Sequence, residues 1–173
     1  LEHIESEIRA AKDGIPSGIW MKTNAIVDKD IIDKLYEASQ AGVKIQLIVR
    51  GICCLRPKVK GLSDNITVKS IIGRFLEHSR VYVFANGGKF LSDKNIVIMA
   101  SGDLMPRNLY RRVETFIPLE NETVRAQVLE QVMLALLKDT SNCWELQSDG
   151  TYIKQKYSEN NFSSHTYFMN YPS

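Results

Sequence analysis

A strand–helix–strand pattern in the first third of the chain is the feature that most constrains the fold. Residues 19–27 and 43–49 are rich in apolar and β-branched residues, which predicts two strands, the second of them buried. Asp28 is placed to cap the N-terminus of the helix between them, and Gly42 stands at the C′ position after it. Two strands joined by a crossover helix over about 30 residues form a βαβ unit, whose strands are parallel. The sequence therefore predicts an α/β fold.

The rest of the chain predicts antiparallel neighbours for this unit. An Asn-Gly-Gly turn at 86–88 joins two short strand patterns and predicts a hairpin. Asn121 is predicted to cap a long helix whose inward face holds Val124, Val128, Val132 and Leu136, with Leu129 and Met133 beside them. We expect an α/β domain with a mixed β-sheet flanked by helices at residues 1–140. A C-terminal segment, 141–173, is expected to be partly extended or disordered.

The charge of the chain is unevenly distributed. Hydrophobic residues make up 44% of the 173 residues, which provides a core and excludes an intrinsically disordered chain. No apolar run reaches the roughly 20 residues that a membrane span needs. The net charge is only +2, but residues 50–112 carry 12 basic and 4 acidic groups, a net charge of +8. Such a segment attracts polyanions, although a solvated surface with scattered lysines would give the same count.

Arg50 has the most informative position among the basic residues. It follows the second predicted parallel strand and precedes Gly51. Ligands of open α/β sheets bind at the carboxyl ends of the strands, so Arg50 is a candidate phosphate contact; the alternative is a surface arginine that opens a loop. Arginine is suited to bidentate phosphate contact, and the 50–112 segment holds seven: Arg50, Arg56, Arg74, Arg80, Arg107, Arg111 and Arg112.

His78 is a second candidate site residue. If residues 79–84 form a strand, alternation places His78, Arg80 and Tyr82 on one face. An imidazole beside a guanidinium group is suited to proton exchange or phosphate contact near neutral pH. The alternative is a structural histidine.

Residues 101–108 predict a loop that lines a site. This segment follows a predicted strand and combines small residues with a carboxylate, an arginine and an amide. Polar groups in a loop after a strand are typical of binding sites. Asp103, Arg107 and Asn108 are the candidates. Asp103 is also placed to cap a short helix, and Glu114 to pair with an arginine.

The cysteines indicate the cellular compartment, and the first residue indicates whether the chain is part of a longer protein. Three cysteines without zinc-site spacing indicate a reducing cytosol rather than a disulfide framework or a zinc site. The chain begins at Leu1, without Met and within a helical pattern, which predicts a piece of a longer protein.

Several segments resemble the C-terminal catalytic region of bacterial polyphosphate kinase. The resemblance is carried by residues 37–45 and 47–57, and by the motifs GRFLEHSR, DLMPRNL and CWEL. It covers residues 21–146 and implies a fold like that of the phospholipase D superfamily. That superfamily has a His-x-Lys pair before a small-residue turn that ends in Asn. Here Arg80 stands in the place of the lysine, which argues against phosphodiester hydrolysis.

The resemblance also implies an activity. Polyphosphate kinases transfer the terminal phosphoryl group of ATP to inorganic polyphosphate, reversibly, through a phosphohistidine. The nucleophilic histidine and the Mg²⁺ ligands are expected in a preceding domain, so that the chain alone would be inactive and would hold no metal. His78 matches the second active-site histidine, and Arg50 matches an arginine that contacts the phosphates of ATP or ADP. Arg80, Asp103, Arg107 and Asn108 are expected to line the site or a polyphosphate channel.

The resemblance also implies partners for the chain, and two other functions are alternatives to the kinase. The expected partners are ATP or ADP, polyphosphate and the upstream domains of the same chain, in a cytoplasmic homo-oligomer with peripheral membrane association as an alternative. A phospholipase D-like nuclease that dimerises to complete its site is one other hypothesis. A non-catalytic module that binds polyanions is another.

Overall fold

The predicted βαβ unit forms the centre of the molecule in the computed structural model, which describes residues 1–156 and 160–171. Strands β1 (Gly18–Thr23) and β2 (Lys44–Val49) are parallel and are joined by helix α2 (Lys29–Gln40). Strand β1 ends at Thr23, earlier than predicted. The reason is that the next backbone amides bond to loops: Ile26 donates to the Ile52 carbonyl rather than to a neighbouring strand.

Helix α2 begins and ends at the predicted residues. The Asp28 carboxylate accepts a hydrogen bond from the Ile31 amide at 3.1 Å, which satisfies one of the free N–H groups of the first turn. Gly42 has a φ of +97°, a left-handed conformation that glycine adopts without strain. Both predicted caps are confirmed.

The described residues contain one mixed sheet of eight strands in the order β6-β5-β4-β1-β2-β3-β7-β8. Strands β1, β2 and β3 are parallel and all other pairs are antiparallel, including the predicted β4–β5 hairpin. The remaining strands are β3 (Ile66–Ile71), β4 (Val81–Phe84), β5 (Ile96–Ala100), β6 (Phe116–Pro118), β7 (Cys143–Leu146) and β8 (Tyr152–Lys154). The three parallel strands place their carboxyl ends at one edge.

Helices cover both faces of this sheet. Helix α1 (Glu2–Lys12) packs beside α2 over the larger apolar cluster, and the chain segment 122–138 covers the smaller cluster on the opposite face. The other helices are α3 (Pro106–Tyr110), α4 (Glu122–Gln127), α5 (Leu134–Lys138) and α6 (Ser164–Asn170). No helix in the described ranges is long and apolar enough to cross a membrane.

The long helix capped by Asn121 has a π-helical turn, Val128–Met133, between α4 and α5. Its predicted inward face is partly wrong: Leu129, Met133 and Leu136 are buried, whereas Val124 is exposed. The π turn takes more residues per turn than an α-helix and therefore rotates the apolar stripe.

The segment after residue 140 contributes to the same sheet. Strand β7 pairs with β3, and α6 packs on α5. Residues 157–159 and 172–173 of the predicted C-terminal segment lie outside the described residues, and the division at residue 140 stays a prediction.

Removing the helix cap at Asp28 should destabilise the fold. We expect Asp28→Ala to lower the free energy of unfolding by about 1 kcal/mol, because the Ile31 amide loses its acceptor. Asp28→Asn retains an acceptor and should cost much less. Urea denaturation checks both variants; an equal loss in Asn and Ala would show that the cap bond is not the cause.

Candidate functional site

Arg50 lies at the sheet edge where the parallel strands end. It follows β2 directly, and its amide donates to the Thr23 carbonyl at 3.2 Å, where β1 also ends. A Cβ at Gly51 would lie 2.9 Å from the Asn24 carbonyl oxygen, so a side chain there would push the two strand ends apart. The glycine after Arg50 therefore allows the ends of β1 and β2 to lie close together at this edge.

His78 lies beside Arg50, although not on a strand. Arg50 Nη1 is 3.4 Å from His78 Nε2 and 3.5 Å from Nδ1, and the imidazole is exposed. Strand β4 begins only at Val81, so the prediction that His78, Arg80 and Tyr82 share one strand face is wrong. The pairing of β1 with β4 ends at Lys22 and Val81, and His78 belongs to the loop before that point.

Lys22 explains why the strand stops there, and the sequence analysis did not identify it. Its side chain is 2% exposed, and its ammonium group donates to the carbonyls of Glu77 and Ser79 at 3.0 and 2.9 Å. Those carbonyls face a charge instead of a neighbouring strand. Burial lowers the pKa of Lys22, against the opposing effect of the Glu77 carboxylate 3.7 Å away. The sequence did contain a signal for Lys22, because it is the single charged residue within a mostly apolar strand.

Arg80 and Asp103 form a two-point ion pair next to this loop. Arg80 Nε and Nη2 donate to the two Asp103 oxygens at 3.0 and 3.3 Å, and Nη1 donates to the His78 carbonyl at 3.1 Å. The prediction that the His78 ring lies beside the Arg80 guanidinium group is wrong, because Arg80 contacts the His78 carbonyl and Arg50 contacts the ring. Arg80 holds the backbone of His78 rather than its ring.

Asp103 is also bonded to the end of β1. The Thr23 hydroxyl and the Asn24 amide donate to its Oδ1 at 3.0 and 2.9 Å. Burial alone would raise the pKa of Asp103, but the hydrogen bonds from Arg80, Asn24 and Thr23 outweigh burial and hold that pKa below its usual value. The alternative prediction that Asp103 caps a helix is wrong: α3 begins at Pro106, with Met105 at the N-cap.

Asn108 and Arg107 have different surroundings. Asn108 is 7% exposed, and its amide donates to Glu114 at 2.7 Å, while the Ser101 hydroxyl donates to the other Glu114 oxygen. Glu114 is therefore held by an amide and a hydroxyl, and the prediction that it pairs with an arginine is wrong. Arg107 is exposed and makes no hydrogen bond or ion pair within the described part of the chain, so the structure does not join it to the other candidates.

The comparisons with known proteins agree with this architecture. The family description "Polyphosphate kinase C-terminal domain 2" matches residues 1–165. The chain belongs to this family. It is 58% identical over 170 residues to the polyphosphate kinase of Erythrobacter litoralis, covering 98% of this chain and 24% of that protein. The chain thus spans about a quarter of the length of the curated polyphosphate kinases that it matches.

Solved structures show the same fold. The polyphosphate kinase of Porphyromonas gingivalis superimposes with a TM-score of 0.89 at 37% identity, over 98% of this chain and 26% of that one. The phospholipase D family member Nuc from Salmonella typhimurium gives a TM-score of 0.54 at 15% identity, over 82% of this chain and 89% of that one. The predicted phospholipase D-like α/β fold with a mixed sheet is confirmed, and so is the resemblance to polyphosphate kinase.

The acidic side chains of the candidate site are bonded to neighbouring residues. Within the described residues no three His, Cys, Asp or Glu side chains are grouped as metal ligands would be. Asp103 is bound by Arg80, and Glu114 by Ser101 and Asn108, so the carboxylates at the site already have donors.

Neutralising Asp103 should destabilise the chain in a pH-dependent manner. At pH 7 we expect Asp103→Asn to lower the free energy of unfolding by about 1.5–3 kcal/mol, the range for hydrogen bonds to charged groups. Because the pKa is lowered in the folded state, this contribution is complete above the unfolded pKa near 3.9 and is lost as the pH falls through the folded value.

Urea denaturation of both proteins across pH 7 to 3 measures the effect. The difference between wild type and Asp103→Asn should shrink below about pH 4. Glu120→Gln, at an exposed carboxylate, serves as a control with little effect at any pH. A difference that stays constant down to pH 3 would contradict the assignment.

Proposed function

We propose that this chain supplies the Arg50–His78 part of a polyphosphate kinase active site, where the terminal phosphoryl group of ATP moves reversibly to and from polyphosphate. The observation that carries the proposal is the contact of the Arg50 guanidinium group with the exposed His78 ring. This pair lies at the carboxyl edge of the parallel strands, where open α/β sheets bind ligands. The family membership supports the substrate class.

Arg50 is available to bind phosphate. Its hydrogen-bond contacts with described residues all involve Nη1, which leaves Nε and Nη2 for phosphate oxygens. Phosphoryl transfer depends mainly on positioning and on neutralising charge on the phosphate oxygens. A guanidinium group fixed at a strand end serves both needs.

His78 and Arg80 have separate tasks in this proposal. The exposed His78 ring gives acid/base or electrostatic support to a phosphoryl group moving to and from a nucleophilic histidine elsewhere in the enzyme. Arg80 has its charge balanced by Asp103, so it orients the backbone of His78 and contributes less to phosphate binding. Arg107, exposed and unpaired within the described residues, is placed for a more distant phosphate of the polymer.

The remainder of the enzyme completes the site in this proposal. The nucleophilic histidine and the ligands of Mg²⁺, which would neutralise phosphate charge, come from upstream domains of the same polypeptide. The chain alone would then be inactive. The whole protein would act in the cytoplasm as a homo-oligomer.

Substitutions in the full-length enzyme test these roles. We expect His78→Ala to lower polyphosphate synthesis by at least about 100-fold, the lower bound for losing an acid/base group. Arg50→Ala should weaken ATP binding by about 10- to 100-fold, because a charged hydrogen-bond donor is lost. Arg9→Ala, a surface arginine of α1, is the control and should leave both quantities unchanged.

Radiolabelled polyphosphate synthesis and calorimetric ATP binding provide the two measurements. Near-normal turnover in His78→Ala would contradict the proposal. Phosphodiester hydrolysis by the purified chain would favour the nuclease hypothesis instead. Polyphosphate binding that depends on salt but not on Arg50 or His78 would favour a polyanion-binding module.

A further inference from the structure

The loop that carries His78 has little apolar packing of its own. Residues 73–80 form neither helix nor strand, and Phe75 and Leu76 are 44% and 71% exposed. A cavity of about 400 Å³ lies between part of this loop, the π turn and the C-terminal part of α6. Its lining includes Phe75, Glu77, Ser79, Tyr167, Phe168 and Tyr171. The position of the loop therefore depends on a few polar contacts.

The second half of the loop is anchored from the sheet. Lys22 holds the carbonyls of Glu77 and Ser79, and Arg50 Nη1 lies 3.4 Å from the Glu77 carbonyl. The Ser79 hydroxyl donates to the Glu77 carboxylate at 2.6 Å. None of these contacts reaches the first half, residues 73–76.

His165 of α6 anchors the first half. Its ring is 2% exposed, and its Nδ1 accepts a hydrogen bond from the Phe75 amide at 3.1 Å. The ring of Phe75 lies against it, with centroids 5.4 Å apart. An accepting Nδ1 places the proton of the neutral imidazole on Nε2. That nitrogen is buried and has no hydrogen-bond partner among the described residues, so the Phe75 amide is the one polar contact of the ring.

Gly73 of the loop lies against the His165 ring as well. A Cβ at Gly73 would lie 2.4 Å from His165 Nδ1 and 2.8 Å from its Cε1, closer than real Cβ atoms approach other atoms. The glycine therefore permits the loop backbone to lie directly on the imidazole. The contact between the loop and α6 therefore depends on Gly73 as well as on His165.

Helix α6 also has anchors that do not involve the loop. The Ser164 amide and hydroxyl both donate to one oxygen of the buried Asp139 carboxylate, at 2.8 and 2.6 Å. Ser163 caps the helix by accepting from the Thr166 amide. His165 is thus presented from a firmly docked first turn.

We propose that His165 is a positioning residue for the reaction: by accepting the Phe75 amide at Nδ1, it fixes the loop that keeps His78 against Arg50. This inference rests on the proposed function for its effect on turnover. It assigns His165 no contact with substrate. The C-terminal helix thereby becomes part of the support of the active site.

Three variants of the full-length enzyme separate this role from a general effect on stability. His165→Phe keeps a ring of similar shape but removes the acceptor, and His165→Asn offers an amide oxygen near the place of Nδ1. Ser164→Ala weakens the docking of α6 without touching the loop. We expect kcat to fall about 10- to 100-fold in His165→Phe, as for a misplaced catalytic group. His165→Asn and Ser164→Ala should stay near wild type, even where their Tm falls.

Gly73→Ala disturbs the same contact from the loop and is the second test if His165→Phe does not fold. It should lower kcat as His165→Phe does. Amide hydrogen exchange of residues 73–79 gives a readout that does not depend on the reaction. Exchange should be faster in His165→Phe and Gly73→Ala, and close to wild type in His165→Asn and Ser164→Ala.

The outcomes distinguish the two proposals. Wild-type kcat and slow loop exchange in both His165→Phe and Gly73→Ala would overturn the positioning role. Equal loss of kcat in His165→Phe, His165→Asn and Ser164→Ala would also overturn it, by showing a general effect of α6 docking. If the wild-type enzyme synthesises no polyphosphate, the proposed function is contradicted. The amide hydrogen exchange of residues 73–79 would then decide by itself whether His165 anchors the loop.

Discussion

The buried ammonium group of Lys22 is the interaction on which the geometry of the site depends. A charged group in the interior has a large desolvation cost unless polar partners surround it. The carbonyls of Glu77 and Ser79 are those partners, with the Glu77 carboxylate nearby. Because these two carbonyls bond to Lys22, they do not pair with a neighbouring strand, and β4 begins only after them. His78, between the two captured carbonyls, is placed at the strand edge beside Arg50.

Two arginines contact His78, and their charges are balanced differently. Arg80 is held by both oxygens of Asp103, and the pKa of that carboxyl is kept low, so the pair stays charged and mutually neutralised. Arg50 has no carboxylate partner among the described ion pairs. The positive charge counted over residues 50–112 is therefore not equally available to a polyanion. Net charge identified the segment, and ion pairing decides which of its arginines keep an unbalanced charge.

The elements predicted correctly are those whose signals lie within a few neighbouring residues. The βαβ unit, the Asp28 cap, the Gly42 conformation and the β4–β5 hairpin each follow from local periodicity and turn chemistry. The start of β4 was misplaced because it depends on Lys22, more than fifty residues away.

The same distinction separates the site residues. The position of Arg50 at a strand end was predicted correctly because strand ends are visible in a sequence. Lys22 and His165 instead contact backbone groups of a distant loop. No spacing rule connects such residues, because their partners are main-chain atoms common to every residue type. The family resemblance made His78 a candidate, and its role stays a prediction; the alternation argument for its surroundings was wrong, because β4 begins only at Val81.

A loop anchored by polar contacts suits the phosphate site that we propose for this chain. Apolar packing under His78 would hold the loop more firmly, but it would also place hydrocarbon where charged oxygens must be solvated and neutralised. The apolar clusters instead lie on the two faces of the sheet. The loop is held by hydrogen bonds that Lys22 donates to it and by one that His165 accepts from it. Each such bond contributes only about 1 kcal/mol or somewhat more for the charged donor. The position of His78 is consequently sensitive to single substitutions that leave the core intact.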